Sequence, residues 1–64
     1  MEQQYEMVNA SYGDVAGETD TAANWIAQIE AICHEMGWPQ PELRELSNGE
    51  YVNARGETVL VPVD

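Results

Sequence analysis

The apolar positions of this 64-residue chain fall into one helical stretch and several shorter alternating ones. Between Thr19 and Gly37, the residues Ala22, Trp25, Ile26, Ile29, Ile32, Cys33 and Met36 recur at spacings of three and four. That spacing puts them on one stripe of a helix. Asp20 or Thr19 can cap the first turn, Gly37 suits a left-handed C-cap, and Pro39 forbids continuation. The pattern therefore predicts a helix over about 20–36, with Asn24, Gln28, Glu30, Ala31, His34 and Glu35 on its outer face. Tyr5 to Ala10 alternates and predicts a first strand, and residues 11–18 predict a loop.

Beyond the helix, Trp38-Pro39-Gln40-Pro41 reads as an extended connector, because proline biases its predecessor away from helix. Glu42 to Leu46 reads as a strand that forms a hairpin with Glu50 to Ala54 across Asn48-Gly49. The alternative is a short helix opened by Pro41 and closed at Asn48-Gly49. Glu50 to Ala54 and Glu57 to Val63 flank Arg55-Gly56 and predict a second hairpin. A two-residue loop there pairs Val52 with Val59, and Tyr51 with Leu60. Val52, Val59, Val61 and Val63 then share a face toward the helix, and Pro62 marks the last strand as an edge or a fraying end. The expected architecture is a single α+β domain over residues 1–64: one amphipathic helix packed on a small antiparallel sheet, in the order β-α-β-β-β.

Charge changes the picture more than any motif. Twelve acids face two arginines and no lysine, for a net charge of −10. The acids run from end to end, and a hydrophobic fraction of 44% argues for a folded acidic body over a disordered acidic tail. Self-repulsion at this charge opposes folding, and solubility needs a net magnitude of only about 2–8 in a small domain. Glu35 stands in the predicted last helical turn, where the helix dipole favours a cation. Glu30 precedes it without a nearby lysine, and Glu42, Glu45, Glu50 and Glu57 continue the acidic supply through the sheet region. Direct nucleic-acid binding is disfavoured by so few cations, and an anionic membrane surface would repel the chain.

Catalytic and metal chemistry find little support. Cys33 and His34 are helix neighbours about 100° apart and do not converge on one ion, and neither a second Cys nor a second His is present to complete a zinc site. Adjacent positions on one helix also do not form a thiol–imidazole pair. Glu30 and His34 read as an exposed surface pair. Asp14-Val-Ala-Gly-Glu18-Thr-Asp20 lacks the spacing of a calcium loop. No cofactor and no enzymatic activity are expected. The single cysteine lies on the apolar stripe and reads as a core residue in a reducing compartment, and the acidic, non-hydrophobic start Met-Glu-Gln-Gln-Tyr-Glu is not that of a signal peptide, so a cytoplasmic setting is expected.

Short length, a dispersed Glu-rich surface, absent lysine and a compact α+β pattern together resemble small phage-encoded inhibitors, including anti-CRISPR proteins and other DNA mimics. The resemblance is one of type and matches no motif. It implies an inhibitor that occupies the basic groove of a nucleic-acid-binding host protein or complex, such as a CRISPR effector. The candidate partner-binding residues are Asp20, Glu30, Glu35, Glu42, Glu45, Glu50, Glu57 and Trp38. The alternative is a protein-protein interaction module or regulatory subunit, antitoxin-like, that binds through an apolar patch containing Trp38 and Tyr12. Trp38, next to a helix end and a proline, reads equally as a core lid or as a partly exposed contact.

Overall fold

The helix begins two residues later than the spacing predicts. In a computed structural model that describes residues 2–13, 15 and 17–63, α1 runs Ala22–Met36 and its N-cap is Thr21, whose hydroxyl accepts from the Asn24 amide at 3.3 Å. Asp20 does not cap by itself. Its Oδ1 accepts from the Thr21 amide and from Asn24 Nδ2, both at 2.8 Å, and its charge sits favourably at the positive end of the helix. Thr19–Asp20 instead form a short strand, β2, against β1, Gln4–Met7. This is the element missing from the expected order. A two-residue strand has no periodicity to read, and only a partner strand reveals it. One turn of 3-10 helix, Ala10–Tyr12, lies between β1 and β2. Gly37 takes φ 73 and closes α1 as expected, with its amide and that of Trp38 donating back to the His34 and Cys33 carbonyls.

The remaining strands are β3, Arg44–Glu45, β4, Tyr51–Val52, and β5, Thr58–Val63. Residues 42–46 therefore contribute a strand and not the alternative helix. The five strands form one antiparallel sheet in the order β2-β1-β5-β4-β3, so the chain is α+β as the pattern predicts. The expected hairpin turns both occur, but each loop has three residues. Leu46 and Glu50 close one loop and Asn53 and Glu57 the other, each with an amide-to-carbonyl bond across its base. Gly49 at φ 90 and Gly56 at φ 81 occupy the left-handed position that such loops require. The extra residue of the second loop is absorbed by a bulge between Tyr51 and Val52. The predicted register therefore holds at Tyr51–Leu60 and fails at Val52, which faces Thr58.

β5 is the central strand, not an edge. Its proline is accommodated by pairing phase. The Val8 amide donates to the Val59 carbonyl at 2.8 Å, so the bonded pairs with β1 continue at Glu6–Val61 and Gln4–Val63. Pro62 falls opposite Tyr5 in the alternate, non-bonded position, where its missing N–H points away from β1. On that other side β4 pairs no further along β5 than Leu60, so no ladder bond is lost.

The core joins Trp25, Ile29 and Cys33 of α1 to Tyr5 and Met7 of β1, Val59 and Leu60 of β5, and Tyr12. The Trp25 indole N–H donates to the Tyr5 carbonyl at 2.8 Å and ties α1 to β1. Val59 and Leu60 are consecutive, both fully buried and both part of this one cluster, since the bulge interrupts the alternation of β5 there. The expected valine face is buried only at Val52 and Val59, while Val61 and Val63 are half-buried. Met36, at the end of the predicted stripe, is 60% exposed, because the stripe outlasts the sheet beneath it.

Tyr5 and Tyr51 meet edge-to-face with ring centroids 5.5 Å apart. Burial, reinforced by the Glu45 carboxylate and then by Tyr5, pushes the Tyr51 phenol above its usual pKa. Below about pH 10 the phenol is neutral in folded and unfolded chains alike, and its contribution is intact. Above that, the unfolded chain ionises first and the fold loses stability. Tyr51→Phe is expected to retain stability further into the alkaline range than the parent, measured by urea unfolding at neutral and alkaline pH. Parallel losses in the two proteins would show that Tyr51 is not the group responsible.

Candidate partner-binding surface

The acidic side chains are held apart by the fold. Asp20 and Glu45 lie in β2 and β3, the opposite edges of the sheet, four strand spacings of about 4.8 Å from one another. Glu30 and Glu35 are both exposed on α1, but five residues turn a helix to positions about 140° apart, so they flank the outward ridge on different sides. Glu50 is half-buried at the base of the first hairpin loop, where its amide donates to Asn48 Oδ1. Glu42 follows the buried Pro41 and takes φ 51, a left-handed conformation uncommon outside glycine, and its side chain is exposed. Glu57 accepts from Asn53 Nδ2 at 3.1 Å and lies 3.7 Å from Arg55 Nε.

That contact is the one ion pair among the described residues, and both its side chains are largely exposed. The other described carboxylates form no ion pair with a described cation of the chain. Asp14 and Asp64 lie outside the described residues, and with Asp14 goes the test of the calcium-type loop. Among the described residues no group of three or more His, Cys, Asp or Glu could hold a metal ion, and no helix is long and apolar enough to cross a membrane.

Trp38 is 41% exposed, so it does not serve as a lid over the core. It stands with Pro39, Gln40 and Pro41 along one side of a groove of about 490 Å³. Ser11 and Tyr12 of the 3-10 turn, and Asn53, Ala54 and Arg55 of the second hairpin loop, line it elsewhere, with the buried Cys33 beneath. Three segments distant in sequence thus bring Tyr12 and Trp38 together. The organiser is Asn53, 4% exposed. Its Oδ1 accepts from the Arg55 and Glu57 amides at 3.0 Å, and its Nδ2 donates to Tyr12 Oη at 3.3 Å and to Glu57. The Ala54 amide donates to the Pro41 carbonyl at 3.1 Å and joins the loop to the proline wall. Neither Asn53 nor Arg55 stands among the sequence-derived candidates. The signal was present, since Asn53-Ala-Arg-Gly56 has asparagine first and glycine fourth, the preference of a four-residue turn.

No protein-family model matches the chain, and no curated protein or solved structure is significantly similar to it.

Proposed function

We propose that this chain is an acidic binding protein that occupies the basic, nucleic-acid-binding surface of a partner protein and excludes nucleic acid from it. The observation that supports this reading is the uncompensated charge. Ten net negative charges lie along a body of 34 × 22 × 18 Å, one per about 3.4 Å of the long axis. Duplex DNA carries one per about 1.7 Å, so the chain has about half its linear density. Asp20 and Glu45 at opposite edges of the sheet, and Glu30 and Glu35 on different sides of α1, carry that charge to several sides of the body. Glu35 supports the reading from another side, because it works against the dipole of α1 and stability alone would favour lysine there.

The test is capture of partners by the immobilised chain at low salt, followed by elution with duplex DNA or with rising salt. Partners should be released by both, since charge contacts across an interface are screened and DNA competes for the same cations. A Glu35→Lys chain should capture less while unfolding no more easily than the parent. Partners that resist both DNA and salt would defeat the proposal and favour the second reading, an interaction module or regulatory subunit. The groove containing Trp38 and Tyr12 is the observation on that side.

A further inference from the structure

The groove at the C-terminal end of α1 is a built feature and not a gap between loose loops. Gly37 reverses the chain, Pro39 and Pro41 stiffen the wall that follows, and Asn53 pins the opposite loop through four side-chain hydrogen bonds. Trp38, 41% exposed and lining the groove, offers apolar surface to a ligand on such a wall. The rim decides which ligand. Glu42 adjoins the lining residue Pro41, and Glu57 contacts the lining residue Arg55. Two carboxylates against one guanidinium leave the rim negative within a chain of net charge −10. An acidic or neutral peptide gains nothing from that field, and an acidic one is repelled by it.

We infer that the groove is the anchoring subsite for an arginine-bearing segment of the basic partner. The arginine lays its stem and guanidinium against the Trp38 ring and directs its remaining N–H donors to the rim carboxylates. Arginine suits this better than lysine. Its planar, weakly hydrated guanidinium stacks on an indole and still presents donors at its edge, whereas an ammonium is a compact, strongly hydrated point charge. The inference rests on the acidic-binder reading and adds to it a place and a residue type. It also gives Trp38 and Glu42 a common purpose, since the left-handed turn at Glu42 leaves its carboxylate exposed beside the apolar wall.

The test uses the whole chain, labelled with nitrogen-15, and three short peptides: alternating arginine and glycine, alternating lysine and glycine, and alternating leucine and serine. The arginine peptide is expected to move the Trp38 indole resonance and the amides of Tyr12 and Ala54 while leaving the Trp25 indole in place. It should bind more tightly than the lysine peptide, and Trp38→Ala should weaken it about tenfold without lowering the unfolding midpoint. Trp38→Phe should retain part of the affinity. If the arginine peptide binds but its shifts lie away from the groove, the subsite is wrong and the acidic-binder reading stands. If neither cationic peptide binds at low salt, both fall. If the leucine peptide moves Trp38 as strongly as the arginine peptide, the groove is an apolar site and the arginine assignment is overturned.

Discussion

Replacing Trp25 by alanine is expected to remove much of the stability of the fold and to lower its unfolding midpoint sharply. Trp25 is 4% exposed and lies in one cluster with Tyr5, Met7, Ile29, Cys33 and Leu60. Truncating a buried tryptophan costs about 3–5 kcal/mol in lost transfer energy and residual cavity. A domain of this length has a total stability of about 3–10 kcal/mol, so the loss takes much of what is available. The indole also makes the 2.8 Å bond to the Tyr5 carbonyl. That carbonyl belongs to β1, which pairs with both β2 and β5, so the bond fixes α1 to an inner strand of the sheet. Trp25→Phe separates the two contributions. It keeps most of the apolar area, loses the donor, and is expected to cost about 1–3 kcal/mol. Far-UV circular dichroism and urea unfolding measure both variants. A Trp25→Ala protein with a near-parent midpoint would show that the helix is held to the sheet by something else.

Asn53→Ala is expected to cost about 2–4 kcal/mol, a large effect for a residue in a turn. Alanine removes acceptors from the Arg55 and Glu57 amides and donors from Tyr12 Oη and Glu57 in a single change. These partners are buried or half-shielded, so water replaces the lost bonds incompletely. Asn53→Asp is the sharper variant. It keeps the Oδ1 acceptor, loses both Nδ2 bonds, and places a carboxylate against that of Glu57. Like-charge contact raises the folded-state pKa of the new aspartate above its unfolded value. The sign follows: stability is present below the ordinary aspartate range and is lost as pH rises through it. Urea unfolding at pH 7 and near pH 4 should therefore show a gap between Asn53→Asp and the parent that narrows in acid. A pH-independent gap, or none, would mean that Glu57 does not face Asn53 as described. Because Asn53 supports one wall of the Trp38 groove, arginine-peptide binding should weaken alongside.

These two residues also mark what was legible in the chain. Trp25 could be read as core because its spacing to Ala22, Ile29 and Cys33 is a local property of a helix. Asn53 could not be read as buried, although its turn could, because burial of a polar side chain depends on a Tyr12 hydroxyl 41 residues away. Trp38 was ambiguous for the same reason. Nothing in Gly37-Trp38-Pro39 says whether another segment lies over the ring, and the structure leaves the ring open beside the loop it might have packed under. The spread of the acids was equally hidden. Glu30 and Glu35 could be assigned to an outer face, but Asp20 and Glu45 reach opposite edges only because β1 and β5 come between their strands.

By itself, then, the sequence determined what short-range chemistry can specify. That comprises the body of α1 and its stop at Gly37, two hairpin turns at glycines that must take positive φ, the α+β class, and an excess of negative charge that no internal pairing could cancel. The tertiary structure decided which strands are neighbours. Pairing with β1 placed β5 at the centre of the sheet despite Pro62, because the proline falls in the phase of the ladder that needs no N–H on that side. Pairing on the other side of β1 made a strand of Thr19–Asp20, and contacts between distant loops brought Tyr12, Trp38 and Asn53 to one groove. Contacts between residues far apart in the chain are worth forming only once the whole sheet exists, so no window of sequence contains them.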